Sequence, residues 1–591
     1  MDLESELKRG IALHDAGQLG DAARCYQAIL DQDPGNVDAL NLMSALANLA
    51  GEAAFAADLA RQAIAGDDSY FAPYLALGNA LQNLGDIDGA VEAFRHAIRL
   101  NDASAESYCN LASALNACNR FDEAVDAAVQ ALVLKPDFPE AHNNFGNALL
   151  GQGNTEDAVE CYEKSLALNP DFAEAWQNLG NAHLRAGDAE AALGAFARAL
   201  QLEETAERFH NLGNAFLALA QFEPAARCFA QAIESDPGLH DAWMNLSVAL
   251  KGLGQLADAE AVQRDAVQLR PEDAEAHFNL AVLLLQQGKY AEGWAEYEWR
   301  WQLPEFQQLL RDFPQPRWDG GRFDGRTLLV TAEQGYGDAL EFCRFVPLVA
   351  ALGGRVVLEC RPGLERLLQT LAEGVEVVAL GAPLPDFDLH APLMSLPGLL
   401  GVTLENLPAA VPYLAVPAGS RGFPALAEPA KLKVGLAWAG KATRQDNAFR
   451  SCTLDDLAPL LDEAGAEFFS LQVGPAGGLG RWQGRGNLHD LAPDLSDFVD
   501  TAAAIAQMDL VITVDTSVAH LAGALAKPVW VLLSRPSNGF LWMDGRSDSP
   551  WYPSVRLFRQ TVPGDWVGTL SEVKAELARL VRCPLWVSNP C

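Results

Sequence analysis

One short stretch of this sequence carries side chains suited to holding a negatively charged group. In DLVITVDTSVAHLAGALAKPVWVLL (residues 509–533), an apolar strand runs directly into Asp515, Thr516 and Ser517, and His520 follows within the next turn. A helix that begins at Thr516 presents unpaired N–H groups and a partial positive charge, and the hydroxyl groups add donors. The stretch therefore predicts a phosphate-binding turn. In the alternative interpretation, Asp515 or Thr516 only caps the helix and His520 packs inside.

Two other side-chain patterns with possible chemistry do not predict a metal site. Ten cysteines are scattered without a CxxC pair, which argues against a zinc site or a disulfide framework. Aspartates also occur two apart, as Asp86/Asp88 and Asp386/Asp388. We interpret these pairs as turn acids and expect no bound metal.

The elements that must position the phosphate-binding turn are two tandem α/β halves. From Thr327, β-rich runs such as TLLVTA and RVVLEC alternate with helical stretches, and the pattern restarts at KVGLAWAG. We predict an N-terminal half over residues 326–418 and a C-terminal half over 419–591. In such sheets ligands bind beyond the carboxyl ends of the strands, where the phosphate-binding turn is expected.

The preceding part of the chain is an internal repeat with a period close to 34 residues. NLGNAHLRAGDAEAALGAFARALQL, from residue 178, recurs with the same apolar anchor and with an alanine thirteen residues after it. Small residues allow close helix packing, and a proline at the seam stops the second helix. These features are typical of tetratricopeptide repeats. They predict an α-solenoid over residues 1–302 with a concave groove that binds a protein partner.

An asparagine precedes the apolar anchor in most repeats. A carboxamide both donates and accepts hydrogen bonds, so a row of them can pair with the main chain of an extended peptide. In the alternative interpretation, these asparagines bond neighbouring repeats to each other. The predicted acceptor-peptide ladder comprises Asn110, Asn144, Asn178, Asn211, Asn245 and Asn279.

The join between the solenoid and the α/β halves is rich in aromatic residues. We expect Trp294, Tyr297, Trp299 and Trp301 to bury the open face of the last repeat. The following segment, residues 303–325, contains prolines and glycines and predicts a linker.

Composition excludes several classes of function. The net charge is −36 over 591 residues, so nucleic acid is not expected as a partner. Uninterrupted apolar runs long enough for a membrane span are missing, and the first residues lack the pattern of a secretion signal. We therefore expect a cytoplasmic protein.

The α/β halves resemble GT-B glycosyltransferases of the bacterial heptosyltransferase type. The resemblance lies in DTSVAH with AGALAKPVWVLL, in AEQGYGD (residues 332–338), and in VGLAWAG followed by FRSCTL. It implies two Rossmann-like halves, a nucleotide-sugar donor and no metal or other cofactor. This sequence has EQGYGD where heptosyltransferases have a serine-rich turn.

The resemblance also implies roles for particular residues. Asp338 would act as the catalytic base, since a carboxylate can take the proton of a hydroxyl nucleophile. Thr516, Ser517, His520 and Arg450 would bind the donor phosphate and stabilise the charge of the leaving group. Residues that could line the nucleotide pocket are Gln472, Gly474 and Asp515, although turn geometry explains Gly474 equally well.

Repeats joined to this kind of transferase are similar to bacterial enzymes that glycosylate flagellin. The resemblance implies transfer of a nonulosonic acid, of the pseudaminic or legionaminic type, from a CMP-sugar to serine or threonine of flagellin held by the repeats. One alternative is a protein or glycan transferase that uses a UDP-, GDP- or ADP-sugar. Another is a scaffold whose transferase half has lost catalysis.

Overall fold

The computed structural model describes residues 2–423, 426, 431–440, 450–474, 477–535 and 539–582. The chain divides into two compact units, Met1–Leu239 and His240–Cys591. The described residues include no helix long and apolar enough to cross a membrane.

The first unit is built from antiparallel helix pairs, as the repeat pattern predicts. Each pair forms because two amphipathic helices bury their small and apolar faces against each other. The helices are α1 (Leu3–Asp15), α2 (Leu19–Leu30), α3 (Val37–Leu49), α4 (Ala53–Gly66), α5 (Phe71–Asn83), α6 (Ile87–Leu100), α7 (Ala105–Ala117), α8 (Phe121–Leu134), α9 (Pro139–Gly151), α10 (Thr155–Leu168), α11 (Ala173–Ala186), α12 (Ala189–Leu202), α13 (Ala206–Ala218) and α14 (Phe222–Ser235).

Small residues set the close approach of the two helices within a pair. The alanines predicted at the helix contact, such as Ala124, Ala158 and Ala192, are fully buried. On the facing helix, a methyl group added at Gly180 would lie 2.5 Å from the ring of Phe196. Because that distance is below van der Waals contact, only glycine allows the aromatic ring to fill the space between the helices.

The second unit begins with the last two helix pairs of the solenoid. They are α15 (His240–Gly252), α16 (Leu256–Leu269), α17 (Ala274–Gln286) and α18 (Tyr290–Tyr297), followed by a 3-10 helix (Glu298–Gln302) and α19 (Pro304–Gln307). Trp294 and Tyr297 are each 3% exposed, which confirms the prediction that aromatics bury the end of the repeats. Trp294 meets Phe342 and Phe540 edge-on, at 6.0 and 5.6 Å between ring centroids.

A buried arginine reinforces this join. Arg300 is fully buried, and its guanidinium donates to Glu298 Oε1 at 2.7 Å and to Ser395 Oγ at 2.8 Å. It also reaches Glu333 Oε1, just after the first strand, at 3.3 Å. Burial raises the pKa of Glu333, and the positive charge of Arg300 opposes that shift.

The N-terminal α/β half contains a four-stranded parallel sheet in the order β3-β2-β1-β4. Its strands are β1 (Thr327–Thr331), β2 (Arg355–Cys360), β3 (Val375–Ala379) and β4 (Leu389–Pro392). The connecting helices are α20 (Tyr336–Phe342), α21 (Val346–Ala350) and α22 (Glu365–Leu368), and α23 (Leu396–Leu399) follows β4.

The C-terminal half contains a six-stranded parallel sheet in the order β10-β9-β8-β5-β6-β7. Its strands are β5 (Leu432–Ala437), β6 (Ala466–Ser470), β7 (Leu488–Asp490), β8 (Leu510–Val514), β9 (Val529–Leu533) and β10 (Val555–Arg559). Its helices are α24 (Leu454–Leu457), α25 (Phe498–Ala506), α26 (Ser517–Ala524) and α27 (Trp566–Arg582). Strands β8 and β9 are buried along their whole length, as the continuous apolar runs predict.

Two predicted boundaries differ from the structure. The compact units divide between residues 239 and 240 rather than at 302, because the last repeats pack with the α/β halves. The segment 303–325, predicted as a linker, packs against the N-terminal sheet. Within it, Trp318 and Phe323 are buried in the core, and the Trp318 N–H donates to the carbonyl of His390 at 2.8 Å.

The turn between α13 and α14 gives a stability prediction. Ala220 has φ +54° at the position where Gly187 has φ +82° in the preceding repeat. Ala220→Gly should raise the melting temperature of the first unit. Relief of the left-handed conformation is worth about 1–2 kcal/mol, more than the roughly 0.4–1 kcal/mol by which glycine stabilises the unfolded chain. Gly187→Ala is the matched control and should lower the melting temperature. Equal effects of the two substitutions in thermal unfolding would contradict the argument.

Candidate functional site

The predicted phosphate-binding turn lies at the point where strand order reverses in the C-terminal sheet. Strands β5, β6 and β7 run to one side and β8, β9 and β10 to the other, so the reversal falls between β5 and β8. The strands are parallel, so the turns that follow β5 and β8 emerge at the same edge. In doubly wound sheets of this order, the crevice at that edge is the usual ligand site.

The N-terminus of α26 is available to an anion. Thr516 occupies the N-cap position without a side-chain capping bond to the described residues, because its hydroxyl lies 3.1 Å from the hydroxyl of Thr513. Asp515, Thr516 and Ser517 are all partly exposed. The alternative in which Asp515 or Thr516 caps the helix is therefore not the arrangement observed. The N–H groups of the first turn of a helix have no partner within the helix itself.

Arg450 lies beside the same turn. Its guanidinium donates to the backbone carbonyl of Asp515 and, at 2.7 Å, to Oδ2 of the Asp515 carboxylate. The pair brings a cation to the turn, and phosphate binding by Arg450 stays a prediction. Asp515 is the partner that holds this arginine, and its contact with a nucleotide stays a prediction too.

The predicted base comes to the phosphate-binding turn from the N-terminal half. Helix α20 packs against helix α26. A methyl group added at Gly337 would lie 3.2 Å from Cδ2 of His520 and 3.8 Å from the Cα atom of Ser517. The next residue, Asp338, is partly exposed, and its Oδ2 accepts from the Gly335 N–H at 2.9 Å. The two predicted motifs thus meet, although they are separated by more than 170 residues of sequence.

The hydrogen bonds around His520 fix its orientation. Nδ1 lies 3.1 Å from the hydroxyl of Tyr552, and Nε2 faces Asp515 Oδ1 at 3.8 Å. The Tyr413 hydroxyl donates to the Leu340 carbonyl at 2.9 Å, so it cannot also donate to Tyr552. The Tyr552 hydroxyl also lies 3.3 Å from the Tyr413 oxygen, so its proton has two acceptors within reach, the Tyr413 oxygen and His520 Nδ1.

Burial keeps His520 neutral. The imidazole is 5% exposed, and burial lowers its pKa, while the carboxylates of Asp515 and Asp338 oppose that shift. A neutral imidazole has one donor and one acceptor nitrogen, and Nε2 of His520 faces the turn. His520 is therefore packed inside, with one ring nitrogen directed at the turn.

A buried carboxyl group lies behind His520. Glu341 is fully buried in α20, with Oε2 at 3.7 Å from His520 Nδ1, and neither carboxyl oxygen has a hydrogen-bond partner among the described residues. Burial raises the pKa of Glu341 well above its usual range, Arg344 opposes the shift, and Asp338 and Asp515 add to it. Glu341 is therefore the protonated acid of the cluster.

Arg344 holds the layer beneath the site together. Its guanidinium donates to the carbonyl of Trp551 at 2.7 Å and to the hydroxyl of Tyr413 at 3.1 Å. It also stacks near the rings of Tyr413 and Tyr552, at 4.6 and 4.5 Å from their centroids. These contacts fix the position of the tyrosine that orients His520.

The two remaining predicted pocket residues shape the turns after β5 and β6. Gln472 is buried, and its Oε1 accepts from the N–H groups of Trp438 and Ala439, both at 2.9 Å. Its contribution is therefore to hold the turn at the reversal point. Gly474 has φ +83°, the left-handed turn geometry offered as the alternative interpretation.

One acid from each pair predicted as turn acids has a described hydrogen bond. Asp86 accepts from the Gly89 N–H at 3.0 Å at the start of α6, as expected of a turn acid. Asp388 instead accepts from the N–H of Thr327, at the start of β1, at 2.7 Å. Groups of three or more potential metal-ligating side chains do not occur among the described residues.

In the predicted asparagine ladder, the described bonds join neighbouring repeats. Asn110 Nδ2 donates to Asn79 Oδ1 at 2.9 Å, and Asn178 Nδ2 donates to Asn143 Oδ1 at 2.9 Å. Asn144 Nδ2 donates to the Cys109 carbonyl at 3.1 Å. These contacts are those of the alternative interpretation, and peptide binding by the ladder stays a prediction. The same position in α13, α15 and α17 is occupied by Asn211, Asn245 and Asn279.

Sequence reasoning missed the buried residues that support the site. Glu341 and Arg344 stand in ALEFCRF (residues 339–345), where apolar residues surround a single acid and a single base. A charge inside an apolar helix predicts a buried polar cluster, so this signal was available. Tyr413 carried no comparable signal, because it lies in an irregular segment after the N-terminal sheet.

These features define the class of protein: a tetratricopeptide-repeat solenoid followed by two parallel α/β sheets. Tetratricopeptide-repeat profiles match residues 7–70, 72–104, 112–153, 143–207, 210–272 and 249–298. The first 300 residues or so are thus tetratricopeptide repeats.

Among characterised proteins, the chain is similar to Protein FlbA of Caulobacter vibrioides. The two are 32% identical over 383 residues, which cover 58% of this chain and 62% of that protein. The chain thus spans less than two thirds of the length of this relative. Residues 1–302 are just over half of the 591-residue chain, so the similarity includes residues beyond the repeats.

Solved structures also match parts of this chain. The Cut9–Hcn1 heterotetramer of the APC/C is 19% identical, with 47% of this chain and 55% of that chain covered and a TM-score of 0.41. A tetratricopeptide-repeat protein of Thermus thermophilus is 22% identical, with 30% and 98% covered and a TM-score of 0.28.

The protonated state of Glu341 gives a pH-dependent prediction. A carboxyl group with a raised pKa in the folded protein costs stability as pH rises above about 4.3, where the unfolded chain ionises and the folded group does not. Glu341→Gln removes this cost. The melting temperature of the variant minus that of the wild type should therefore increase from pH 4 to pH 8. The exposed Glu373→Gln is the control and should show no such trend. A constant difference across this range would show that Glu341 is not held protonated.

Proposed function

We propose that this chain is a glycosyltransferase that moves a sugar from a nucleotide donor to a hydroxyl group of a polypeptide. One observation carries the proposal: the glycine-acid turn of one α/β half abuts the start of α26 in the other, at Gly337 and His520. This arrangement supports a general base on one side of the site and an anion-binding helix end on the other.

The proposed reaction is a displacement at the anomeric carbon of the donor sugar. Asp338 takes the proton of the acceptor hydroxyl as its oxygen bonds to the anomeric carbon, and the bond from that carbon to the phosphate oxygen breaks. The electron pair leaves with the nucleotide phosphate. The N–H groups of α26, the Nε2 proton of His520 and the cation of Arg450 stabilise the charge that develops there.

The donor and acceptor follow from the resemblance of the motifs. We propose a nonulosonic acid of the pseudaminic or legionaminic type, delivered from a CMP-sugar to serine or threonine of flagellin in the cytoplasm. A single phosphate is the leaving group of such a donor, and one eight-residue helix end, at Ser517–Ala524, can accommodate it. The similarity to FlbA beyond the repeats supports a role for the α/β halves that is joined to the role of the repeats.

The repeats are proposed to hold the acceptor polypeptide. Tetratricopeptide solenoids typically bind protein segments in their groove. In the ladder, the amide nitrogens of Asn110, Asn144 and Asn178 each donate a hydrogen bond to the neighbouring repeat. The carboxamide oxygens are the atoms proposed to accept hydrogen bonds from the N–H groups of an acceptor chain.

A catalytically inactive scaffold is the second candidate, and one observation favours it. The guanidinium of Arg450 is already paired with the carboxylate of Asp515 at 2.7 Å, which reduces the charge that it can offer to a phosphate. Titration calorimetry with sugar nucleotides separates the candidates. Binding of a CMP-sugar supports the proposed transferase, and binding of a UDP-, GDP- or ADP-sugar instead identifies another transferase. Failure of all these donors favours the scaffold.

Asp338→Asn tests the proposed base. Asparagine can still accept the hydrogen bond from the Gly335 N–H, but it cannot take a proton. We expect glycosylation of flagellin, followed by intact mass, to slow by about 10² or more, with co-purification of the acceptor unchanged. Asp319→Asn is the matched control, because Asp319 accepts from the Gly321 N–H at 3.0 Å in an exposed turn of the same half.

Unchanged glycosylation by Asp338→Asn would remove Asp338 from the reaction. Loss of acceptor capture together with glycosylation would indicate that the substitution alters the fold rather than the chemistry. In that case the Asp319→Asn control decides whether turn aspartates in this half are generally sensitive.

A further inference from the structure

A pocket of about 320 Å³ lies at the carboxyl ends of β9 and β10, within the second unit. Ser534 and Arg535 follow β9, and Gln560 follows β10. The opposite wall comes from the last repeats, where Lys251 stands in the last turn of α15. The pocket thus joins the C-terminal sheet to the end of the solenoid, and the mechanism proposed above does not use it.

The lining of this pocket is positively charged. Lys251, Arg535 and Arg559 face Asp544, which is the lone carboxylate among the described residues of the lining. The local balance is two positive charges in a chain whose net charge is −36. A concave site with this excess attracts small anions against the field of the remaining protein.

The arginines are held in place by main-chain carbonyls. Arg535 Nη2 donates to the Leu253 carbonyl at 3.1 Å, and Arg559 Nε donates to the Arg546 carbonyl at 3.1 Å. A methyl group added at Gly254 would lie 2.9 Å from Arg535 Nη2, so the guanidinium sits directly against the turn after α15. The cations are therefore pre-positioned rather than free to rotate away.

Two polar groups in the lining lack partners within the described part of the chain. Gln560 is 2% exposed, and its Oε1 accepts from the N–H groups of Arg535 and Gly564, at 3.2 and 3.0 Å. Its Nε2 is buried and has no hydrogen-bond partner there. The ammonium of Lys251 makes no hydrogen bond or ion pair with the described residues, and burial lowers the pKa of Lys251 to about 8.

Buried donors without a partner are stabilised when a hydrogen-bond acceptor binds to them. A buried amide N–H₂ and a desolvated ammonium each lose free energy unless a ligand replaces water. Both are donors without acceptor capacity on these nitrogens, so the missing partner must be a hydrogen-bond acceptor, and the positive charge of the lining favours an anionic one. Ser534 adds a hydroxyl that can donate as well.

We infer that this pocket binds a phosphate monoester, with Lys251, Arg535 and Gln560 as its ligands. The dianion of a phosphate monoester matches the two excess positive charges, whereas a single carboxylate matches only one. The volume is larger than a bare phosphate group needs, which leaves room for the organic group that the phosphate carries. The same chemistry is offered by free phosphate and by a nucleoside monophosphate.

The test measures anion binding to the full-length chain by titration calorimetry. Inorganic phosphate, CMP and uncharged cytidine are the probes. We expect phosphate and CMP to bind and cytidine to fail. The part of each affinity that Lys251→Met removes reports on this pocket. A larger loss for CMP than for phosphate would identify a nucleotide as its ligand, and equal losses would mean that the phosphate group alone is recognised.

Three variants make the result decisive. Lys251→Met and Gln560→Glu should each weaken phosphate binding at least tenfold. The second keeps the oxygen that accepts from Arg535 and Gly564, and replaces the donor by a repelling oxygen. The exposed Lys164→Met is the control and should bind as the wild type does. Wild-type affinity in both pocket variants, or no binding of either anion at millimolar concentration, would overturn the inference.

The pH dependence gives an independent reading. Binding requires protonated Lys251, so CMP affinity should fall as pH rises through about 8 in the wild type but not in Lys251→Met. CMP is the probe here because a phosphate monoester loses its second proton near about pH 6 and is a dianion above pH 7. Asp544, Arg535 and Arg559 also line the pocket, and none of these side chains ordinarily titrates between pH 7 and 9. Affinity that is constant over this range would contradict the role of Lys251. Lys251→Met should leave glycosylation of the acceptor unchanged, so failure of the transferase proposal and failure of this inference remain distinguishable.

Discussion

The contact between Gly337 and His520 is the constraint on which the proposed site depends. A methyl group at position 337 would lie 3.2 Å from the imidazole, so glycine is what allows α20 and α26 to meet end to end. This contact brings the turn after β1 to the turn after β8. Asp338 and Ser517 follow strands of two different sheets. Without this contact they would lie too far apart to act on one substrate.

A buried polar layer maintains that contact. Glu341 and His520 have their pKa values shifted in opposite directions by burial, so both are neutral near pH 7. Arg344 carries the compensating positive charge and is bound by a carbonyl and by Tyr413. Burying these polar side chains costs free energy. Such a cost is typical of sites where function requires a side chain to be held in one orientation.

The last repeats pack directly against the α/β halves that carry the proposed site. Trp294 packs on Phe342 of α20, and Tyr290 accepts a hydrogen bond from Nε1 of Trp551 at 2.8 Å. Trp551 also provides the carbonyl that binds Arg344. The end of the solenoid therefore supports the same layer that orients His520.

Much of this fold was predictable from the sequence. The repeat period, the fully buried alanines and the continuous apolar strands follow from packing rules that act locally. Three strands escaped detection for physical reasons. Leu389–Pro392 is short and ends in proline, Leu488–Asp490 has three residues, and Val555–Arg559 carries two arginines.

How well each site residue could be predicted depends on how far away in the sequence its partners lie. The order of residues in one turn was enough to single out Thr516 and Ser517. The partners of Gln472 and Asp515, by contrast, are set by residues 33 to 65 positions away in sequence. The linker prediction failed for a similar reason, because Trp318 and Phe323 are buried by strands that follow them in sequence.

The central claim is that a donor phosphate binds where β8 passes into α26, opposite Asp338. The most direct measurement is a crystal structure of the full-length chain with an unreactive CMP-sugar analogue. The account predicts the phosphate about 3 Å from the Ser517 N–H group and from Nε2 of His520. A phosphate bound only in the Lys251 pocket, with the Ser517 turn unoccupied, would contradict it.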